Sequence, residues 1–215
     1  MKTCVIFCAA EFSGLLDPIG SEDLVIAADG GLRHTNALGI RPDVILGDFD
    51  SLGYVPEEGQ VFPVEKDDTD SMLAIRLGLE RGYTDFRIYG ALDGPRLDHT
   101  MANFQTLAFL AAHGARGWLI GRDYIVTVAN RETLVFPASA RGILSCFCLG
   151  ADIRNLTIQG LKYPLEQGTL SASFPLGVSN HFLGLEGRIS LGEGLLLVLW
   201  DRSNGLCRRE PYTGG

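Results

Sequence analysis

Helical periodicity stops near Arg122, and that break constrains the fold more than any single motif. Up to it, strand-like and helix-like segments alternate. From 124 to 201 there are only short β-rich runs (YIVTVA, ETLVFP, GILSCFCL, IRNLTI, GTLSASF, GRISL, GLLLVLW), separated by Gly, Pro and Asn. Strands alternating with helices imply a mostly parallel sheet, with ligands gathering at the C-terminal ends of its strands. Short strands at regular spacing imply an antiparallel sandwich or a jelly-roll-like barrel. The expected architecture is an α/β N-terminal domain with a mostly parallel sheet over residues 1–122. An all-β sandwich or jelly-roll-like C-terminal domain follows over residues 123–215.

Within the first domain, the apolar runs TCVIFCA (3–9) and LVIAA (24–28) read as buried strands. The second enters Asp29-Gly30-Gly31, and a short helix is expected from 32 to 38. A strand, a glycine pair and a helix start put backbone N–H groups where an anion can meet them, although a tight turn accounts for the glycines equally well. Further strands are expected at 43–47, near 61–64, at 85–90 and at 116–121. Longer helices are expected at 70–81 and 99–113, each closed by a glycine, Gly82 and Gly114. Thr69 or Asp68 suits the N-cap of the first of these, whose Met72, Leu73, Ile75, Leu77 and Leu79 form a wide core-facing stripe. Trp118 and Trp200 fall in strand patterns and read as core.

Three acidic clusters then fall at predicted strand ends: DVILGDFDS (43–51), KDDTD (66–70) and GALDGPRLDHTMAN (90–103). In an extended chain Asp48 and Asp50 project to one side and Phe49 to the other. Two carboxylates held together repel, and a cation is the simplest group that keeps both ionised. Hard oxygen donors with little Cys or His nearby suit Mg2+ or Mn2+ better than zinc. Any one aspartate is explained as well by a cap or a turn; three clusters in sixty residues point to a metal-phosphate site. Arg96 offers a planar fork for phosphate oxygens and Lys66 a point charge. Asp98 reads either as part of an acid/base pair with His99 or as a helix N-cap. No GxxxxGK[ST] motif is present, so a P-loop kinase is excluded.

Composition narrows the partners. A net charge of −8 and a pI near 5.0, with no Lys/Arg cluster, argue against nucleic acid. No apolar run approaches the ~20 residues of a membrane span, and Glu11 cuts short the apolar start, so a first strand is expected there and not a signal peptide. The five cysteines lie largely in strand-like runs and read as reduced packing residues of a cytoplasmic protein. Cys146 and Cys148 lack a second Cys/His pair, and His34, His113 and His181 carry no ligand motif.

The motifs AADGG (27–31), GDFDS (47–51), KDDTD (66–70), GPRLDH (94–99) with Asn103, and GVSN (177–180) occur in one order, and the chain resembles the thiamine pyrophosphokinase family. Each motif is weak alone, and the five in order are specific. The resemblance implies a Mg2+-dependent transfer of the pyrophosphoryl group of ATP to thiamine, giving thiamine diphosphate and AMP. It implies a homodimer with active sites at the subunit interface. Carried over by motif, Asp48, Asp50 and Asp70 would hold Mg2+, with Asp29 close by and Gly30 and Gly31 at the nucleotide. Lys66, Thr69, Arg96 and Asp98 would line the ATP side, while Ser179 and Asn180 would face thiamine. His181 departs from the acidic residue found there in many bacterial members. Two other readings use the same aspartates: a Mg2+-dependent phosphohydrolase acting on a nucleotide, and a non-catalytic nucleotide-sensing module. The first leaves GVSN and the β-domain unexplained, and neither accounts for all five motifs.

Overall fold

A computed structural model describes residues 2–61 and 68–213. The chain forms two compact units, residues 1–122 and 123–215. In the first, strands β1 (Cys4–Phe7), β2 (Leu24–Ala28), β3 (Val44–Gly47), β4 (Gly59–Val61), β5 (Asp85–Tyr89) and β6 (Arg116–Ile120) pair side by side in the order β6-β5-β1-β2-β3-β4, every pair parallel. Helices α1 (Leu32–Ala37), α2 (Asp70–Glu80) and α3 (Leu97–Ala112) provide crossovers. Because the chain adds strands to one side of β1 and then returns to the other, its direction of winding reverses at β1. A crevice opens at the C-terminal ends of the strands at such a switch point. Among the described residues, the loops carrying the first and third acidic clusters leave from those ends, after β3 and β5.

The buried strands β1 and β2 are apolar throughout, as a sheet covered on both faces requires. Helix α2 packs on β1, β2 and β3. Its fully buried residues are Ala74, Ile75 and Gly78, with the expected leucines and Met72 only half-buried along the flanks. The stripe is displaced because the helix approaches the sheet at its smallest residue: a Cβ on Gly78 would come within 2.5 Å of the Phe86 ring. Helix α3 starts two residues earlier than its periodicity suggests, directly after Pro95 and Arg96.

The second unit contains β7 (Tyr124–Ala129), β8 (Glu132–Phe136), β9 (Ile143–Cys148), β10 (Ile153–Gln159), β11 (Leu165–Leu170), β12 (Asn180–His181), β13 (Gly187–Leu191), β14 (Leu196–Asp201) and β15 (Arg208–Pro211). They pair antiparallel, as β12-β9-β14-β7 and as a five-stranded sheet β11-β10-β13-β8-β15. Strand pairing over the chain is therefore mixed and not mostly parallel: the long crossovers that parallel neighbours need lie in the first unit, and the shorter connections of the second go with antiparallel pairs. One expected strand also moves and one strand is added. The run 168–174 belongs to a strand that begins at Leu165 and ends at Leu170, and β15 is an additional charged strand at the sheet edge.

The two sheets of this unit meet through Phe136 and Trp200, whose rings cross edge-to-face at 5.1 Å. Trp200 is fully buried and its indole N–H donates to the Gly205 carbonyl at 2.9 Å. Such a pair adds roughly 0.5–1.5 kcal/mol beyond the area it buries. Among the described residues no helix is long and apolar enough to cross a membrane.

All five cysteines are free. Burial pushes the thiols of Cys8, Cys146 and Cys207 up to about 12 and raises those of Cys4 and Cys148. A thiol raised in this way is protonated at neutral pH, and only the thiolate attacks. Alkylation of the folded protein at pH 7.5 (~1 h) is expected to mark Cys148 slowly, as the one half-exposed cysteine, and to spare the other four; denaturation should release all five. Mass spectrometry of labelled peptides checks this, and rapid native labelling at Cys8 would contradict it.

Candidate active site

The site is built outward from Asp29. Strand β2 ends at Ala28, and Asp29–Gly31 form a single 3-10 turn in which Asp29 takes the left-handed φ of 47°. Gly31 seats this turn on β1, since a Cβ there would lie 1.9 Å from the Phe7 carbonyl oxygen. On the neighbouring strand Leu46 pairs with Ala28, so Gly47 arrives beside Asp29. Gly47 has φ 145°, and a Cβ there would stand 3.1 Å from the backbone of Asp29. Two glycines thus let two strand ends converge, and Asp48 emerges at the point of convergence.

Asp48 and Asp50 do share a side, though not by strand alternation. Strand β3 has already ended, and Phe49 adopts φ 61° while its ring is buried. The Asp50 N–H donates to Asp48 Oδ1 at 3.1 Å, which closes the turn. As a result carboxylate oxygens of Asp29, Asp48 and Asp50 lie within 4.8 Å of one another. Asp29 is 5% exposed, and its Oδ1 is buried with no hydrogen-bond partner among the described residues. A buried acceptor left unsatisfied costs on the order of 1–3 kcal/mol, and more when charged. Repulsion among three carboxylates adds to that cost, and a hard cation ligated by the same oxygens relieves both.

The other expected residues surround this group. Asp70 opens α2 outside the three-carboxylate cluster, where a carboxylate suits the helix dipole. Its charge and that of Asp29 are both felt at the Cys8 thiol, after burial. Thr69 is the N-cap of α2, accepting from the Met72 N–H at 3.3 Å. Its hydroxyl lies 3.0 Å from that of Ser71, which donates to Asn103 Oδ1 at 2.9 Å, and Asn103 Nδ2 donates to the Ala91 carbonyl at 2.8 Å. This chain ties the start of α2 to α3 and to the loop after β5. Lys66 lies outside the described residues.

Arg96 occupies the N-cap position of α3, so Asp98 is not the cap but a first-turn residue. The helix starts before it, and Asp98 turns back to Arg96, whose Nη2 and Nε donate at 2.6 and 3.3 Å. That pairing holds the Asp98 carboxyl below its ordinary range; Asp98, with a smaller contribution from Asp50, keeps Arg96 charged. Both side chains are exposed at the first turn of α3. His34 is engaged elsewhere: its Nε2 sits 2.8 Å from the Ala10 carbonyl, and its ring packs on Phe12.

In the second unit Ser179 takes φ 57° and its N–H donates to Ser145 Oγ at 2.9 Å. Asn180 is buried. Its Oδ1 accepts from the N–H groups of Tyr163 and His181, both at 2.9 Å, and its Nδ2 donates to the Tyr163 carbonyl at 2.8 Å. The amide is therefore spent largely on holding Tyr163, a residue 57% exposed. Phe174, Leu176, Val178, Leu183 and Leu185, on the segments either side of Asn180, are exposed as well. Sequence reasoning passed over Tyr163; its only signal was a tyrosine set between Lys162 and Pro164.

Residues 17–119 match the thiamin pyrophosphokinase catalytic domain, and residues 133–196 match the thiamin pyrophosphokinase vitamin B1 binding domain. Thiamine pyrophosphokinase of Bacillus subtilis is 28% identical over 211 residues, which span 93% of this chain and 98% of that one. Among solved structures, thiamine pyrophosphokinase from Bacillus subtilis superposes with a TM-score of 0.81 at 24% identity, covering 93% of this chain and 99% of that one. The enzyme from Geobacillus thermodenitrificans gives 0.76 at 26% identity, covering 97% and 100%. At 14% identity the enzyme from Candida albicans shares the fold, with a TM-score of 0.73 over 92% of this chain and 89% of that one.

The crowded carboxylates generate a direct test. Without a divalent cation, Asp29→Asn should melt at or above the wild-type temperature, because one repelling charge is gone. With Mg2+ at ~100 times its Kd, the wild type should gain about 2.7 kcal/mol and the variant much less. Thermal melts with and without Mg2+ make the comparison, and equal gains in the two proteins would remove Asp29 from the cation site.

Proposed function

Because the chain belongs to the thiamin pyrophosphokinase family, we propose that it transfers the pyrophosphoryl group of ATP to thiamine using the cleft around Asp29, Asp48 and Asp50. The observation that carries this placement is the buried, unpartnered Oδ1 of Asp29 beside two further carboxylates. An all-oxygen donor set of this kind suits Mg2+, held by Asp29, Asp48 and Asp50, with Asp70 nearby on α2. When bound, Mg2+ supplies positive charge to the phosphate oxygens.

The hydroxyethyl oxygen of thiamine attacks the β-phosphorus of ATP. The bond from that phosphorus to the α,β-bridging oxygen breaks, AMP leaves with the bridging oxygen, and the hydroxyl proton is released. For such a transfer the protein's contribution is mainly position and charge. Arg96 presents a planar guanidinium to phosphate oxygens, and Asp98 holds it in orientation before the nucleotide arrives. Lys66 adds a second cation by its place in the KDDTD motif, and Gly30 and Gly31 let the chain turn closely beside the nucleotide. Thr69 fixes the start of α2, and with it Asp70.

Thiamine is received by the second unit. Ser179 meets the acceptor, while Asn180 holds Tyr163 so that its exposed ring offers an aromatic face to thiamine's rings. In our reading the protein is a homodimer whose acceptor surface serves the partner's nucleotide cleft, and the jelly-roll-like unit carries the contacts. Five free thiols suit a reducing compartment, and we assign the reaction to the cytoplasm. A hydrolase would leave the acceptor surface without a purpose.

Protein incubated with ATP, Mg2+ and thiamine should yield AMP and thiamine diphosphate one for one; ADP with thiamine monophosphate would overturn the pyrophosphoryl assignment. Asp50→Asn should fold normally yet lose ~10^2-fold or more in turnover, about 3 kcal/mol. Assembly is tested by mixing two inactive proteins, Asp50→Asn and the double variant Ser179→Ala/Asn180→Ala. After subunit exchange, roughly a quarter of the wild-type rate should return, since half the dimers then hold one intact site. A mixture that stays inactive once mass spectrometry shows heterodimers would confine the site to one chain.

A further inference from the structure

The outward face of the five-stranded sheet carries a polar cavity that pyrophosphoryl transfer does not use. Its floor is built in register: Thr157 on β10 pairs with Ser190 on β13, and Ser190 with Thr133 on β8. Three hydroxyls thus run straight across three strands, while Leu156, Ile158, Ile189 and Leu134 alternate into the core. Thr133 Oγ1 and Ser190 Oγ are 2.9 Å apart, and Thr157 Oγ1 accepts from the Gln167 N–H at 3.2 Å.

Around this floor the side chains of Asn155, Gln159 and Gln167 rim a cavity of about 390 Å³, completed by Arg188 and Tyr212. Among the described residues these three side-chain amides make no hydrogen bond, so their donors and acceptors are uncommitted. The volume falls within the range of small-molecule sites. Gly192 leaves room for the Tyr212 ring, which a Cβ there would approach to 2.9 Å.

The backbone is bent to make this arrangement. Asn155 has φ 56° and Gln167 φ 42°, and the β10–β11 register breaks on both sides of Leu156. Bulges re-aim side chains, and left-handed residues other than glycine persist only where the surroundings impose them. Of the six described in the chain, Asp29, Phe49 and Ser179 lie in the sequence motifs assigned to the active site, and Arg131 lies in the turn that carries the chain from β7 to β8. The remaining two both line this cavity.

Charge decides the class of ligand. Arg188 is the one charged residue among those lining the cavity, and it is bound by Glu210 at 2.6 Å and Glu186 at 3.1 Å. Its field is cancelled locally, so an anion gains little there. We propose that this face binds a neutral polyhydroxylated ligand, a sugar, whose hydroxyls meet the amides and the hydroxyl row while Tyr212 packs against its C–H face. Amides and hydroxyls both donate and accept, which matches the mixed hydrogen-bonding of a sugar.

Titration of 15N-labelled protein with maltose, glucose and myo-inositol tests the proposal. At least one should shift the side-chain amide signals of Asn155, Gln159 and Gln167 in a saturable way. Gln159→Ala and Tyr212→Ala should each weaken that binding roughly tenfold, with folded spectra and an unchanged rate of pyrophosphoryl transfer. Inorganic phosphate should leave the signals in place. Absence of saturable shifts with all three compounds, shifts that survive both substitutions, or a response to phosphate alone would overturn it. None of these outcomes bears on the thiamine reaction, which is assayed separately.

Discussion

Everything in the first unit depends on the left-handed turn that buries the carboxylate of Asp29 between two strand ends. A parallel sheet covered on both faces offers polar groups only at its ends, and here two ends are drawn unusually close. Gly31 allows the turn to lie on the Phe7 carbonyl, and Gly47 allows β3 to finish against Asp29 itself. A side chain at either position pushes the turn away and separates Asp29 from Asp48. The fold accepts backbone strain at Asp29 and Phe49, and it accepts an unsatisfied carboxylate oxygen. Such costs are kept where the strained geometry serves binding.

Polar links between elements hold this geometry together. Arg33 of α1 donates to the Ser51 carbonyl, anchoring the end of the 47–51 turn. Thr69, Ser71 and Asn103 join the starts of α2 and α3 and reach the Ala91 carbonyl. The acidic loops are thus fixed by their neighbours as well as by their own turns. The second unit solves a different problem, the display of apolar surface. There a buried amide, Asn180, satisfies both backbone groups of Tyr163 and allows a large ring to remain exposed without freeing the chain beneath it. Removal of such an amide would strand both backbone groups of Tyr163 and the His181 N–H at once.

Periodicity carried the larger features of the fold. The strand 24–28, the span of α2 to within a residue and the change of texture at Arg122 followed from apolar spacing and glycine stops alone. Periodicity failed where backbone conformation departs from it. In an extended chain Phe49 would point to the side opposite Asp48 and Asp50, whereas its φ of 61° makes it the pivot of a turn. Strand β15, RREP, has no apolar alternation to announce it, because its arginines are used in ion pairs with Glu132, Glu186 and Glu210. Asp98 suits an N-cap by composition, but the helix begins earlier and its carboxylate goes to Arg96. Asp48 and Asp50 were legible as a pair from their spacing; the tight placement of Asp29 beside them required two glycine contacts that lie far apart in sequence.

If the cleft serves the proposed transfer, its charge balance would also order the encounter with nucleotide. Asp29, Asp48 and Asp50 share one small volume in a protein of net charge −8. Of the cations described nearby, Arg33 is directed to a backbone carbonyl and Arg96 is paired with Asp98. A free nucleotide triphosphate approaching this surface meets repulsion, since negative charge is focused where strand ends converge. In the proposed function cation and nucleotide would therefore be linked: each would lower the cost of the other, and arrival as a metal complex would avoid the repulsive state altogether. Under that proposal the pairing of Arg96 with Asp98 would have a use. A guanidinium held by a neighbouring carboxylate keeps its orientation without nucleotide, and phosphate oxygens, carrying more charge than Asp98, can draw it across when they arrive.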